Sequence, residues 1–348
     1  MSQNGTKKCT IYDVAAKAGV SAATVSRVLA NSGYPVSAEL RRRIQDAAAD
    51  LKYTPNAVGR MLKKNDGTDI GVIIPTISNP YYSALLLGAE QEARSRGYNL
   101  FLCNSLRDAN TEHSYLKSLY QKQVRGIMVS TVTENHDLLR ELMGHGVAVV
   151  AFDQDIESLQ CGRVGFDYAR GATLAVEHLI QNGHRDIAFL SAPFTKQSRR
   201  DMLDGYRRAL AAHGISREFI VTAETEEELH DGTYEFDNGK RLAAKYLTLP
   251  RRPTAILAVN DLTAFGILQE LFANGVSVPG NVSVMGFDNI ELSSMVNPPL
   301  STVEQPAFET GRLACRMLLD AIGDGERNTE PVILQPRLVE RQSVRRIN

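Results

Sequence analysis

Several features that would assign this sequence to large classes of proteins are missing. A membrane-spanning helix requires about 20 consecutive apolar residues, and no run in the 348 residues approaches that length. The four cysteines have no C-x-x-C spacing, which argues against a zinc site or a disulfide framework. The seven histidines form no paired-histidine metal motif or Ser-His-Asp set, and the Gly-x-Gly-x-x-Gly loop is absent. The sequence therefore predicts a protein that is not an enzyme and has no metal or cofactor.

The N-terminal segment also lacks the features of a signal peptide. Residues 1–8 are polar and lead directly into a predicted helix, whereas a signal peptide has an apolar central region. Thiols without disulfide spacing are typical of a reducing compartment. We therefore expect a cytoplasmic protein that has no membrane partner.

Charge is distributed unevenly along the chain. Residues 1–64 contain 11 Lys/Arg against 4 Asp/Glu, and the rest of the chain contains 28 against 36. The formal net charge of −1 thus combines a basic head with an acidic body. A small basic domain is typical of proteins that bind the phosphates of nucleic acids. A merely solvated run of charges is the alternative, and the motif that accompanies the charges argues against it.

The most informative motif lies within this basic head, at residues 11–29. It predicts two short helices joined by a tight turn at Gly19, where glycine can supply a positive φ. Ala15 allows the two helices to cross closely, and Val25 packs the second helix onto the first. Ser21 is the predicted N-cap of the second helix. The residues that this recognition helix presents to the major groove are Ala22, Ala23, Ser26 and Arg27.

A third helix is predicted at about 37–51 from its cap and apolar stripe. The next segment, 54–68, contains a short predicted helix, with Pro55 just before it and Asn56 as its cap. Because so short a helix is unstable alone in water, we expect it to form against a partner helix and DNA. Its Leu62 either packs against the core domain or inserts between base steps in the minor groove.

From residue 69 onward, apolar strands alternate with helices, and the alternation restarts after about residue 166. This pattern indicates parallel sheets that helices cover on both faces. Two such runs in tandem predict two similar α/β subdomains, with ligand groups at the carboxyl ends of the strands in the cleft between them. The predicted fold is thus an N-terminal three-helix helix-turn-helix domain followed by an α/β core of two doubly wound parallel-sheet subdomains.

The predicted domain boundaries follow from these patterns. The helix-turn-helix domain spans 1–53, the hinge helix and linker 54–68, and the core 69–348. Within the core, the subdomains lie at about 69–165 and 166–295, with crossovers and the C-terminal segment spanning both. No heptad repeat follows the last strand, so a dimer rather than a tetramer is expected.

Several different short motifs follow one another along the whole chain. They are Thr10-Ile-x-Asp-Val-Ala-x-x-Ala-Gly-Val-Ser, Thr24-Val-Ser-Arg-Val-Leu, Tyr53-x-Pro-Asn, Ile70-Gly-Val-Ile-Ile-Pro, Ser78-Asn-Pro-Tyr-Tyr, Glu177-His-Leu-Ile, Gly183-His-Arg, Asn260-Asp, Gly286-Phe-Asp and Pro298-Pro-Leu-Ser-Thr-Val-x-Gln-Pro. As an ordered set they resemble the LacI/GalR family of bacterial transcription regulators. The resemblance implies a periplasmic-binding-protein-like core that forms a homodimer and a headpiece that reads a palindromic operator in double-stranded DNA.

The resemblance also implies DNA contacts, position by position. Ala22 and Ala23 fall on the two variable specificity positions, where base readout by alanine is apolar, for example against a thymine methyl. Arg27 falls on a base-contacting arginine, and an Arg–guanine pair contributes about 1–3 kcal/mol of discrimination. Phosphate contacts are implied for Thr10, Ser21, Thr24, Ser26 and Asn31. Hinge contacts are implied for Asn56, Leu62 and Lys63.

In the core, the resemblance places a small-molecule effector between the subdomains. Aromatic faces can stack on the C–H groups of a sugar, while carboxylates and amides bind its hydroxyls. The implied effector residues are Asn79, Tyr81, Tyr82, Ser130, Asp153, Arg200, Tyr234, Asn260, Asp288 and Gln305.

The sequence departs from the family pattern at two positions. Gly59 stands where the family usually has alanine, and glycine costs about 1 kcal/mol in a helix interior. The hinge helix is therefore expected to form less readily or to approach DNA more closely. Met202 stands where the family often has an effector-binding arginine, and Arg200 is the nearby substitute.

We expect a transcription regulator, with a repressor preferred over an activator. Its effector changes the closure of the two subdomains and thereby changes the affinity for the operator. A sugar phosphate, a nucleobase or a protein co-repressor is an alternative to a sugar, and induction or co-repression is left open. Residues 69–348 alone would also fit a plain sugar-binding protein, but the basic head argues against that class. An enzyme is disfavoured because Asp153 and Asp288 are better explained as acceptors of ligand hydrogen bonds.

Overall fold

The computed structural model describes residues 9–29, 35–53, 68–153, 156, 159–223, 233–324 and 329–347. The chain separates into two compact units, Met1–Gly67 and Thr68–Asn348. Within the described ranges, no helix is both long and apolar enough to traverse a bilayer. The predicted fold class is confirmed, because three helices precede a core that is built on parallel sheets.

The described part of the first unit, which we call the headpiece, consists of α1 (Ile11–Ala18), α2 (Ala22–Leu29) and α3 (Ala38–Asp50). Gly19 ends α1 with a φ of 64°, a left-handed conformation that glycine adopts without steric cost. The hydroxyl of Ser21 accepts a hydrogen bond of 3.1 Å from the backbone N–H three residues later, so it caps α2 as predicted. Val14, Val25 and Ile44 are fully buried and hold the three helices together.

The second unit contains two parallel sheets. The strands of the first are β1 (Asp69–Ile74), β2 (Asn99–Asn104), β3 (Gly126–Val129), β4 (Ala148–Phe152), β5 (Gly162–Phe166) and β11 (Pro331–Leu334), in the spatial order β11-β5-β4-β3-β1-β2. Its helices are α4 (Pro80–Ser95), α5 (Ala109–Gln121), α6 (Asp137–Gly144) and α11 (Ala307–Asp324). Helices α4 and α11 cover one face of the sheet, and α5 and α6 cover the other. We call this assembly the N-subdomain.

The second sheet consists of β6 (Ile187–Ser191), β7 (Phe219–Thr222), β8 (Ala255–Ala258) and β9 (Ser283–Met285), in the spatial order β7-β6-β8-β9. Its helices are α7 (Tyr168–Gln181), α8 (Gln197–Ala212), α9 (Tyr234–Leu247) and α10 (Asp261–Ala273). Helices α7 and α8 cover one face, and α9 and α10 cover the other. We call this assembly the C-subdomain.

Within the described residues, the chain crosses between the subdomains after β5, after β9 and after β11. Strands β10 (Thr302–Glu304) and β12 (Arg337–Val339) form an antiparallel pair beside the last two crossings. The predicted alternation of strands and helices did not include β7, β10, β11 and β12. Helix α8 begins at Gln197 with a polar first turn that carries no apolar stripe.

Helices α4 and α11 pack with their backbones in direct contact. A Cβ atom at Gly311 would collide with the carbonyl oxygen of Leu85, and one at Gly88 would collide with that of Phe308. Gly323, in the same helix α11, has no atom within 4 Å of such a Cβ position. The close approach of α4 and α11 therefore depends on particular glycines and not on every glycine in the helix.

We expect Gly311→Ala to lower the free energy of unfolding by about 1–3 kcal/mol, because the two helices must separate to accommodate the methyl group. Gly323→Ala is the matched control, and alanine there should leave stability unchanged or raise it by up to about 1 kcal/mol. Urea unfolding of both variants, followed by circular dichroism, measures the difference. Equal losses of stability in the two variants would contradict this account of the packing.

Candidate effector site and nucleic-acid interface

The surface of α2 carries the headpiece residues that were predicted to contact bases. Ala23 and Arg27 are exposed, whereas Ala22 and Ser26 are half-buried. Ala22 packs against the apolar core of the headpiece, so only part of its methyl surface is accessible. An exposed arginine on a recognition helix has the geometry to donate two hydrogen bonds to guanine.

The hydroxyl-bearing residues of the headpiece lie at the N-termini of helices. The backbone N–H and the hydroxyl of Thr10 both donate to the carboxylate of Asp13 at 2.7 Å. The hydroxyls of Ser21 and Thr24 share a hydrogen bond of 2.9 Å. Helix N-termini attract phosphate through their unpaired N–H groups and the helix dipole. The predicted contacts that lie outside the described residues are Asn31, Asn56, Leu62 and Lys63, and Gly59 also lies there.

Tyr12 is a headpiece residue that the sequence reasoning missed. Its side chain is 73% exposed on α1, next to the Thr10–Asp13 pair. The signal was available, because Tyr12 falls outside the buried stripe of Val14, Ala15 and Ala18 on the same helix. A large aromatic side chain on the open face of a small basic domain is a candidate DNA contact.

In the core, Asp153 is the centre of a hydrogen-bond network at the carboxyl end of β4. Its φ of 64° is left-handed, which costs energy for a residue other than glycine and is typical of functional sites. Its carboxylate accepts hydrogen bonds from the hydroxyls of Tyr82 at 2.8 Å, Tyr168 at 2.5 Å and Ser130 at 3.3 Å. Tyr82 and Ser130 belong to the N-subdomain and Tyr168 begins α7, so the network joins the two subdomains.

Gln305, which follows β10, extends this network. Its Nε2 donates to the hydroxyl oxygens of Tyr81 at 2.7 Å and of Tyr168 at 3.0 Å. The rings of Tyr81 and Tyr82 meet edge to face, 5.1 Å apart. Burial, followed by the nearby charge of Asp153, raises the pKa of all three tyrosine hydroxyls well above the usual value. These hydroxyls therefore remain protonated and keep a proton to donate.

The C-subdomain contributes Asp288 and Asn260 from the carboxyl ends of β9 and β8. Asp288 has a strained φ of 118°, and no group among the described residues donates to its carboxylate. Burial and then the charges of the neighbouring carboxylates raise the pKa of Asp288 well above its usual value. Those neighbours are Asp261, Asp153 and Glu235. Asn260 caps α10 through its Oδ1, which directs its amide N–H groups to another acceptor.

An ion pair at the start of α9 is the second connection between the subdomains. The guanidinium of Arg107, from the N-subdomain, donates to Oε1 of Glu235 at 2.6 Å. The same oxygen accepts a hydrogen bond of 3.3 Å from Nδ2 of Asn79, whose Oδ1 caps α4. The guanidinium also lies 5.9 Å from the ring centre of Tyr234. Asn79 is thus engaged with helix α4 and with Glu235.

Arg200 is the predicted effector residue that stays apart from these groups. Its guanidinium donates to the side chain of Gln197 and to the carbonyl oxygens of Phe194 and Thr195. Met202, on the buried face of α8, belongs to the apolar core of the C-subdomain. The other nine predicted effector residues lie at three places: Tyr81, Tyr82, Ser130 and Gln305 in the network of Asp153, Asn79 and Tyr234 at the ion pair, and Asn260 and Asp288 at strand ends of the C-subdomain.

Three residues of this arrangement were not predicted, namely Tyr168, Arg107 and Glu235. Each follows a strand closely or lies in the first turn of a helix, at the edge where ligand groups were expected. Position relative to strand ends was therefore a usable signal for all three. Among the described residues, no group of three or more His, Cys, Asp or Glu side chains could hold a metal ion.

Comparisons with known proteins identify both parts of the chain. The model of "Bacterial regulatory proteins, lacI family" matches residues 10–56, and that of "Periplasmic binding protein-like domain" matches residues 176–344. The chain is 34% identical over 340 residues to the HTH-type transcriptional repressor PurR of Vibrio campbellii, covering 97% of this chain and 99% of the relative. It is 35% identical over 343 residues to the ribose operon repressor of Escherichia coli K12, covering 96% and 99%.

Solved structures agree with these relatives. The lac repressor dimer bound to operator and the anti-inducer ONPF matches with a TM-score of 0.83 and 27% identity, covering 97% of this chain and all of that one. A LacI family transcriptional regulator from Enterococcus faecium with bound ribose matches with a TM-score of 0.72 and 28% identity, covering 80% and 100%.

The fold and the two sites define a DNA-binding regulator with a ligand-binding core. The chain belongs to the lacI family of bacterial regulatory proteins, as the resemblance implied. It is a transcriptional repressor that binds an effector, and it is not an enzyme.

Proposed function

We propose that the chain is a homodimeric repressor whose affinity for a palindromic operator is controlled by a sugar bound between its subdomains. The observation that carries this proposal is the network around Asp153, in which a carboxylate and hydroxyls from both subdomains converge at strand ends. Carboxylate acceptors beside tyrosine rings suit a ligand that has hydroxyls on its edge and C–H groups on its face. An effector that bridges the subdomains favours one degree of closure over another.

A sugar is preferred over a purine because of the acceptors that this site offers. Asp153 presents a carboxylate from one subdomain and Asp288 a carboxyl group from the other, and a sugar supplies several hydroxyls to match them. The ribose operon repressor of Escherichia coli and the ribose-bound Enterococcus faecium regulator support the same class of effector. A nucleobase, which the sequence analysis left open as an effector, is the alternative outcome of the test.

The test is a ligand screen of the full-length protein followed by calorimetry. Pentoses and hexoses are compared with hypoxanthine and guanine by thermal shift, because a ligand that binds only the native state raises Tm. We expect a sugar to give the largest shift and to change operator affinity in fluorescence anisotropy. A purine that raises Tm while no sugar does would overturn the sugar assignment but leave the repressor intact.

The DNA-facing part of the proposal rests on the headpiece. We assign base contacts to Ala22, Ala23 and Arg27 of α2 and phosphate contacts to the hydroxyls at the helix N-termini, with Tyr12 as a further contact. For Leu62 we propose the role that the family resemblance implies, insertion between base steps. Because its target is operator DNA, the protein acts in the cytoplasm.

A second copy of the chain is the partner that fits the exposed edge of the N-subdomain. Strand β2 lies at one edge of the six-stranded sheet, with Phe101 and Leu102 exposed, and Leu87 of α4 and Leu106 are exposed as well. An unpaired edge strand with apolar side chains is a template for association. A palindromic operator also requires a two-fold symmetric reader.

We expect Leu102→Lys to shift the protein from dimer to monomer, because a buried ammonium would oppose association. Size-exclusion chromatography with light scattering measures the molar mass. The matched control is Ile333→Lys on β11, the opposite edge of the same sheet, where Ile333 is similarly exposed. Dissociation caused by Ile333→Lys but not by Leu102→Lys would place the interface at the β11 edge and contradict this assignment.

A further inference from the structure

We infer that Glu235 makes the effector site selective for uncharged ligands, by pairing with Arg107 and so denying that guanidinium to a phosphorylated ligand. The inference rests on the proposed effector site and concerns the charge of the ligand that the site accepts. It separates a free sugar from its phosphate ester, two compounds that share every hydroxyl except one.

The first observation is the position of the ion pair relative to the effector residues. Arg107 lies over the ring of Tyr234, and Glu235 is the next residue along α9. Asn79, which begins the helix that carries Tyr81 and Tyr82, bonds to the same oxygen of Glu235 as Arg107 does. The pair therefore borders the space that the tyrosines line. The charge of Arg107 also lowers the pKa of Tyr82 against the larger effect of burial, which requires that the two side chains lie close together.

The second observation is that the pair is partly desolvated and held in place. The side chains of Arg107 and Glu235 are only 12% and 11% exposed. Leu106 and Arg107 both have left-handed backbone conformations, with φ of 53° and 57°, and two successive non-glycine residues in that region are costly. Strain of this kind persists where surrounding contacts fix the geometry, and here it directs Arg107 towards Glu235.

The third observation is the sign of the charge that remains once Arg107 is paired. Asp153 and Asp288 face the same space, and the charges of Asp153 and Glu235 both act on Asp288. The guanidinium of Arg200 is hydrogen-bonded to the carbonyl oxygen of Thr195 and to the side chain of Gln197. A phosphate group brought near the carboxylate of Asp153 would be repelled, and in a partly buried site such repulsion is weakly screened. A neutral hydroxyl would instead donate to the same oxygens.

The test replaces Glu235 with glutamine, which keeps the size of the side chain and removes its charge. Inorganic phosphate is the first probe, because it requires no knowledge of the effector. Calorimetry of the full-length protein should detect no saturable phosphate binding to the wild type. Glu235→Gln should bind phosphate saturably, at least about tenfold more tightly than the weakest affinity that the calorimetry can detect, through charge-assisted bonds to Arg107. The double variant Arg107→Gln/Glu235→Gln should lose that gain.

The second probe is a set of matched pairs, ribose with ribose 5-phosphate and glucose with glucose 6-phosphate. The wild type should prefer the free sugar in any pair that it binds, and Glu235→Gln should shift that preference towards the phosphate ester. If the Arg107–Glu235 ion pair served only to hold the subdomains closed, Glu235→Gln would change the affinities for the free sugar and its phosphate ester by the same factor. That result would overturn the inference. Glu218→Gln is the control, because it neutralises one partner of the exposed Arg207–Glu218 ion pair at 3.0 Å within the C-subdomain.

The outcomes separate this inference from the proposed function. If no sugar binds but the three proteins rank with phosphate as expected, the sugar assignment fails and the role of Glu235 stands. If a sugar phosphate binds the wild type as tightly as the free sugar, the role of Glu235 fails and the effector site stands. Phosphate binding that is equal in the wild type and Glu235→Gln would also overturn the inference.

Discussion

Replacement of Asp153 with alanine is expected to weaken effector binding by about 100-fold or more and to leave operator binding unchanged in the absence of effector. The Asp153 carboxylate accepts hydrogen bonds from three hydroxyls that belong to two subdomains. Its removal takes away an acceptor for the effector and leaves the hydroxyls of Tyr82 and Tyr168 without this hydrogen-bond acceptor. Hydrogen bonds to a charged group contribute about 1.5–3 kcal/mol each, and about 1.4 kcal/mol is a factor of ten. Calorimetry with the sugar found by the screen measures the loss.

A graded series distinguishes this effect from general damage to the site. Ser130→Ala removes the longest of the three bonds, at 3.3 Å, and should cost only a few-fold in affinity. Tyr82→Phe removes the bond of 2.8 Å and should fall between the two. Tm of each variant without ligand reports folding. A loss of affinity within a few-fold for Asp153→Ala, in a protein that folds normally, would rule out this carboxylate as the main polar contact.

Replacement of Arg27 with alanine is expected to weaken specific operator binding by about 10- to 100-fold. The side chain is exposed on α2, and bidentate contact of arginine with guanine contributes about 1–3 kcal/mol of discrimination. Operator fragments are obtained by selection from a random DNA pool with the wild-type protein, and affinity is measured by anisotropy. Effector binding should be unchanged, because the core carries the whole effector site.

The control for Arg27 is Arg42→Ala, which removes the same charge from an exposed side chain on α3. A phosphate contact weakens binding to all sequences alike and reduces the salt dependence, whereas a base contact relaxes the preference at one base pair. We therefore expect Arg27→Ala to reduce the ratio of operator to random-DNA affinity and Arg42→Ala to leave that ratio unchanged. Equal effects on the ratio would mean that Arg27 only contacts phosphate.

Local patterns predicted the headpiece well, because its structure depends on neighbours in sequence. The cap at Ser21, the positive φ at Gly19 and the burial of Val25 all lie within one helical hairpin. Spacing and residue type are enough to read such features. Tyr12 lies off the buried stripe of α1, so the apolar pattern that predicts this helix says nothing of its exposed ring.

The strands and helices of the core were predicted in outline, but the pairings and contacts between distant segments were not. Buried strands such as β1 and β4 and the helices between them follow from apolar periodicity. Strand β11 joins β5 in the first sheet although a whole subdomain separates them in sequence, and no local pattern encodes that pairing. The same holds for Tyr168, whose hydroxyl reaches Asp153 only because β5 passes from one subdomain to the other.

The sequence by itself determined the kind of protein this is: a basic helix-turn-helix headpiece attached to a two-part α/β core, with polar residues at the ends of its strands. Those properties reside in periodicity, capping and charge, which act over a few residues. Only the tertiary structure decided which side chains meet, such as Glu235 with Arg107 and Tyr168 with Gln305. Such contacts join residues that are distant along the chain, and they are fixed by how the sheets and crossings pack, which the spacing of residues does not record.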